Sequence, residues 1–226
     1  ALNAEDAPNV EGALTTEGAP TVESTDYRSG FYREADFYDA HSLPDYGAQS
    51  PVTREAFAYD FFPATADASS PAPLLVWVHG GAWRFGTNQA LRDTILRTPG
   101  GEQPNTQALM RAAFQQAGWA VASINYRYSH QALFPGALHD VKEAVRFFRA
   151  NAHEFGIDPQ RIAVAGGSAG GHLSMMVAHT GDSAADDGSG GDSASAPEHD
   201  EYFEGRAASA YPTHSSQVAA AASFYG

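Results

Sequence analysis

The 226-residue sequence contains no cysteine, which excludes disulfides, thiol nucleophiles and cysteine metal sites and leaves the redox compartment unread. No apolar run approaches the length that crosses a bilayer, so no membrane span is expected. Basic residues are scarce: 13 Lys and Arg stand against 27 Asp and Glu, a formal net charge of −14. The deficit is local. Residues 1–26 carry Glu5, Asp6, Glu11, Glu17, Glu23 and Asp26, and residues 182–204 carry Asp182, Asp186, Asp187, Asp192, Glu198, Asp200, Glu201 and Glu204, with no base in either stretch. The remaining 13 acids are matched by the 13 bases, so the body is formally neutral. Nucleic-acid binding needs a basic stripe, and none is present.

The sequence does have 43% apolar and 12% aromatic residues, enough for a sizeable core. The opening residues, ALNAEDAPNVEGALTTEGAPTVES, offer little buriable surface, and residues 1–49 are assigned to an acidic N-terminal extension. Residues 50–226 form the expected domain, interrupted at about 182–204 by a flexible acidic insert. The insert's carboxylates do not follow the spacing of a calcium loop. The start at Ala1, without methionine or a signal pattern, reads as a mature or trimmed product. That fits secretion or the cell envelope, with a cytoplasmic place as the alternative.

Strand-length apolar runs alternate with helical patterns. Residues 56–62 (AFAYDFF), 74–78 (LLVWV), 119–124 (WAVASI), 162–165 (IAVA) and 218–224 (VAAAASF) read as strands, the second buried on both faces. Residues 106–117 fit a helix, and Leu138, Val141, Val145 and Phe148 mark one apolar face of another. The fold class is α/β, a mostly parallel sheet with helices on both faces.

In such a sheet, reactive groups gather where strands end. The stretch IAVAGGSAGGH places Ser168 at that point, with Gly166 and Gly170 permitting a tight strand-to-helix turn that lifts the hydroxyl above the sheet. Glycine is abundant here, so this pattern alone is weak. A second glycine corner, HGGAW at 79–83, follows the strand LLVWV and exposes backbone N–H groups at the same edge. With the amide of Ala169 it forms a candidate oxyanion hole.

These residues, with NYRYS at 125–129, FPGALHDVKEAVRFFRAN at 134–151 and FGIDPQRIAVAGGSAGGHLSMM at 155–176, resemble the α/β-hydrolase esterase/lipase group related to hormone-sensitive lipase and to bacterial feruloyl-esterase-like carboxylesterases. The resemblance spans about residues 50–226 and implies Ser168 as nucleophile, Gly81, Ala82 and Ala169 as oxyanion amides, a small-molecule ester as substrate, and no cofactor. It also implies an acid and a histidine after the serine, on loops beyond later strands. Only the N-terminal part of that fold is present, ending at its sixth strand. We therefore expect the chain to be one fragment of a nicked longer enzyme, completed by a second polypeptide that supplies both. Asp200 and His214 come in the right order but are expected at the far edge of the sheet, with all of 182–217.

Trp83, Phe85 and Phe134 are the expected apolar lining for an aromatic or medium acyl group. His79 is expected to orient the oxyanion loop, His172 to pack beside the serine turn, and Asp140 to favour a helix dipole near its start. Tyr126 and Arg127 either meet substrate or brace the loop. His172 and His179 lack further ligands, so no metal site is expected. An amidase or peptidase on the same scaffold, and a non-catalytic hydrolase-like binding protein, are the competing readings.

Overall fold

The structure, a computed structural model, describes residues 27–34, 52–65, 71–93, 95–98, 100–181 and 202–225. The acidic stretches at 1–26 and 182–201 lie outside them. Among the described residues the elements run β1 (Arg28–Phe31), β2 (Ala58–Phe62), β3 (Ala72–Val78), β4 (Ile95–Thr98), β5 (Gly101–Pro104), α1 (Thr106–Gln116), β6 (Ala120–Ile124), α2 (Gly136–Ala150), α3 (Ala152–Phe155), β7 (Ile157–Gly167), α4 (Ala169–Thr180) and β8 (Ala220–Phe224).

Six strands form one sheet in the order β1-β2-β6-β3-β7-β8. β6, β3, β7 and β8 are parallel, while β1 and β2 add antiparallel at one edge. Side-chain alternation along β3 explains the layers. Leu74, Val76 and Val78 join the core that holds Leu138, Val141 and Val145 of α2 and Leu173 and Val177 of α4. Leu75 and Trp77 point to the opposite core, with Met110 and Phe114 of α1. A strand covered on both faces must be apolar throughout, and LLVWV is.

Three features depart from the sequence reading. β1 lies inside residues 1–49 yet pairs with β2, and Tyr32 beside it is buried with its hydroxyl donating to Asn125 O at 2.7 Å. The pair β4–β5 forms a separate two-stranded sheet between β3 and α1, leaving Ile95 and Leu96 exposed. Residues 202–217 do not all lie at the far edge: they run along α2 from His139 Nε2, which donates to Tyr202 O at 2.8 Å, to Arg149, which donates to Ser215 O and Gln217 O. Their anchor is buried. Glu204 accepts from Lys142, the chain's one lysine, and from Arg146, while Glu143 accepts from Ser209. Carboxylates so deep in the protein must be paired, and these pairings hold Glu204 and Ser209 against the middle of α2.

Candidate active site

β7 ends at Gly167 and α4 begins at Ala169, so Ser168 alone makes the reversal, at φ 53° and ψ −123°. A non-glycine residue in that region is strained, and it persists only where its surroundings hold it. Close packing does so. A Cβ on Gly170 would stand 2.6 Å from His79 O and nearer still to Val78 O, and one on Gly166 would stand 2.5 Å from the Gly170 carbonyl carbon. Both positions must be glycine because the start of α4 presses directly on the end of β3. Ser168 itself is exposed.

The HGGAW corner abuts this turn. A Cβ on Gly80 would meet Gly167 O at 2.8 Å and Ser168 Cβ at 3.4 Å. The loop then turns through positive φ at three successive residues: Gly81 (119°), Ala82 (51°) and Trp83 (57°). Arg84 N and Phe85 N both donate to Gly81 O, at 2.9 and 3.1 Å, which closes the turn. The N–H groups of Gly81 and Ala82 donate to no acceptor among the described residues. Ala169 opens α4, where an N–H has no acceptor within its helix. Ser168, Gly81, Ala82 and Ala169 thus occupy two adjoining corners at one edge of the sheet.

The segment after β6 braces the loop. Tyr126 OH donates to His79 O at 3.0 Å, Ser129 N to Trp83 O at 2.7 Å and Tyr128 OH to Gly86 O at 2.6 Å. Tyr126 is therefore engaged in bracing, and the contributions of Tyr128 and Ser129 were not evident from the sequence. Arg127 is buried against Asp140, donating Nε to Oδ2 at 2.8 Å and Nη2 to Oδ1 at 2.7 Å, while its backbone N donates to Oδ2 at 2.9 Å. This corrects the expectation for Asp140. It is the fully buried fifth residue of α2, and it serves the guanidinium rather than the helix dipole.

His79 is 3% exposed and stacks on Tyr126 at 4.5 Å. Its Nδ1 lies 2.7 Å from Gly80 O, an acceptor, so Nδ1 carries the proton and Nε2 the lone pair. Burial pushes the imidazole below its ordinary value of 6.5, as it does for His139. The unfolded chain then takes up protons that the folded chain refuses as pH falls through about 6.5, so stability present above that pH declines below it. Melting temperature is expected to fall between pH 7.5 and 5.5, and to fall less in His139→Gln, whose side-chain amide can still donate to Tyr202 O. An equal fall in both proteins would remove His139 from this account.

The predicted lining does not converge among the described residues. Trp83 sets its ring edge-on to His172 at 5.4 Å, beside the serine turn. Phe85 is 66% exposed, and Phe134 packs instead on Tyr202 and Phe203, at 6.4 and 6.3 Å. His179 Nδ1 lies 2.7 Å from Met175 O on its own helix, and His214 packs on Tyr211. Among the described residues no group of three or more His, Asp or Glu could hold a metal ion, and no helix is long and apolar enough to cross a membrane.

Comparison with known proteins places this architecture. The chain is 37% identical over 114 residues to the probable carboxylic ester hydrolase LipM of Mycobacterium tuberculosis, a match covering 50% of this chain and 23% of LipM. A truncated carbohydrate esterase from gut microbiota superposes with TM-score 0.55 at 26% identity, over 86% of this chain and 55% of that one. The thermophilic esterase Est2 of Thermogutta terrifontis superposes with TM-score 0.52 at 21% identity, over 88% and 52%, and shares the fold. The chain thus spans about a quarter of the curated relative and about half of each solved chain. Residues 60–226 match the BD-FAE family. The chain belongs to the BD-FAE family, within the esterase/lipase group of α/β-hydrolases.

Proposed function

We propose that this chain carries the nucleophile and oxyanion hole of a serine carboxylesterase. The observation that carries the proposal is the exposed Ser168 at φ 53°, abutted by a loop whose Gly81 and Ala82 amides have no acceptor among the described residues. Ser168 Oγ attacks the acyl carbon of a carboxylic ester and gives up its proton to a histidine. The carbonyl oxygen becomes an oxyanion, held by the N–H groups of Gly81, Ala82 and Ala169. The carbon–alkoxy bond breaks, the alcohol leaves with that proton, and water then hydrolyses the acyl-enzyme to release the acid and free Ser168. Esterase names among the relatives support this chemistry.

The histidine and its acid partner are assigned outside the described residues. After Ser168, Glu204 is engaged by Lys142 and Arg146, His172 lies one turn along α4 against the Trp83 ring, His179 is held by its own helix, and His214 lies beside Tyr211. Supply by a second polypeptide belongs to this proposal, and so does a small-molecule ester as substrate. Trp83, beside His172 at the serine turn, is the lining residue this proposal sets against the substrate, ahead of Phe85 and Phe134.

Labelling the purified protein with a fluorophosphonate, followed by a denaturing gel and peptide mapping, tests the reading. Label on Ser168 is expected, with any second band identifying the carrier of the acid and histidine. Folded protein that takes no label would mean that this chain alone is an incomplete or non-catalytic scaffold.

A further inference from the structure

We propose that Tyr128 is a positioning residue for the oxyanion hole: its hydroxyl, acting with that of Tyr126, holds loop 79–86 in the shape that presents the Gly81 and Ala82 amides beside Ser168. The inference rests on the serine-esterase reading above.

The loop cannot hold that shape by its own preferences. Ala82 and Trp83 sit in succession at φ 51° and 57°, a region that non-glycine residues occupy singly and at a cost. The bonds from Arg84 N and Phe85 N to Gly81 O close the turn but do not fix it to the body. Attachment comes from residues 126–129. Tyr126 OH holds the loop's first carbonyl at His79, Ser129 N holds the middle at Trp83, and Tyr128 OH holds the last at Gly86. Each end of the loop therefore depends on one phenolic hydroxyl. Asn125 extends the brace, its Oδ1 accepting from Asn88 N at 2.6 Å.

The two tyrosines differ in what else they do. Tyr126 is buried under the His79 ring, so its removal would disturb packing as well as the loop. Tyr128 is half-buried, and its acceptor residue Gly86 is exposed, so water can satisfy that carbonyl once the hydroxyl is gone. Removing the Tyr128 hydroxyl should then loosen the loop while leaving the fold intact. An oxyanion hole acts on the transition state, so the loss should fall on kcat and spare KM.

The test compares full-length wild type and Tyr128→Phe. Turnover of p-nitrophenyl acetate is expected to show kcat about tenfold lower with KM within about twofold, because misplaced donors weaken transition-state binding. Amide hydrogen exchange across 79–86 should quicken, with melting temperature nearly unchanged. Unchanged kcat, or a loss carried by KM alone, would overturn the proposal. If wild type neither turns over nor takes a fluorophosphonate, the esterase reading fails on its own account. Exchange then decides the brace: quicker exchange in Tyr128→Phe sustains it, and identical exchange overturns it.

Discussion

Asp140→Asn is expected to destabilise the protein by about 3–5 kcal/mol, because it removes the charge from one partner of a fully buried ion pair while leaving the other in place. The carboxylate accepts from the Arg127 side chain and backbone at 2.7 to 3.0 Å, and Arg33 Nη1 lies 3.8 Å from Oδ1. Asparagine keeps the volume but offers one acceptor oxygen, and its amide hydrogens would point at a guanidinium. At this chain length the loss corresponds to a fall in melting temperature of about 10 °C. The exposed pair Arg54–Glu34 supplies the control, its side chains being 49% and 65% accessible. Glu34→Gln should move stability by no more than about 0.5 kcal/mol. Equal effects of the two substitutions in thermal melts would show that the Arg127–Asp140 pair is not what holds the 125–135 loop to α2.

That pair was not legible in the sequence, and the reason is general to this chain. β3, β6 and the second half of β7 were visible because a strand buried on both faces must be continuously apolar, whereas the polar IDPQR that opens β7 carried no such signal. α2 was visible because Leu138, Val141, Val145 and Phe148 repeat at helical spacing. The two glycine corners were visible because the steric demand is local: a Cβ at Gly166 or Gly170 would collide with backbone. What stayed hidden depends on long-range polar contact. Lys142, Glu143 and Arg146 lie on the face of α2 that sequence alone assigns to solvent, yet all three are buried under residues 202–217. β1 reads as RSGF and β5 as GEQP, neither carrying an apolar face, because backbone pairing makes them strands. The brace from Tyr126 and Tyr128 was hidden for the same reason. Its acceptors are carbonyls 47 and 42 residues away, which no side-chain pattern records.

Ser168→Ala is expected to lower kcat for ester hydrolysis by about 10⁴- to 10⁶-fold, the scale on which serine hydrolases respond to loss of the nucleophile. What remains should reflect the oxyanion amides and binding alone. Stability should hardly change, since alanine inherits the same backbone strain. Ser168→Gly separates strain from chemistry. At φ 53° and ψ −123°, relief of about 1–3 kcal/mol of strain exceeds the roughly 1 kcal/mol that glycine costs through a more disordered unfolded chain. The glycine variant should therefore melt higher than wild type while being as inactive as the alanine variant. That pairing is the signature of a residue held against its backbone preference for its hydroxyl. A glycine variant that melts lower would mean that the turn is unstrained in solution. An alanine variant that keeps its activity would place the nucleophile elsewhere, and the reading of both glycine corners would fall with it.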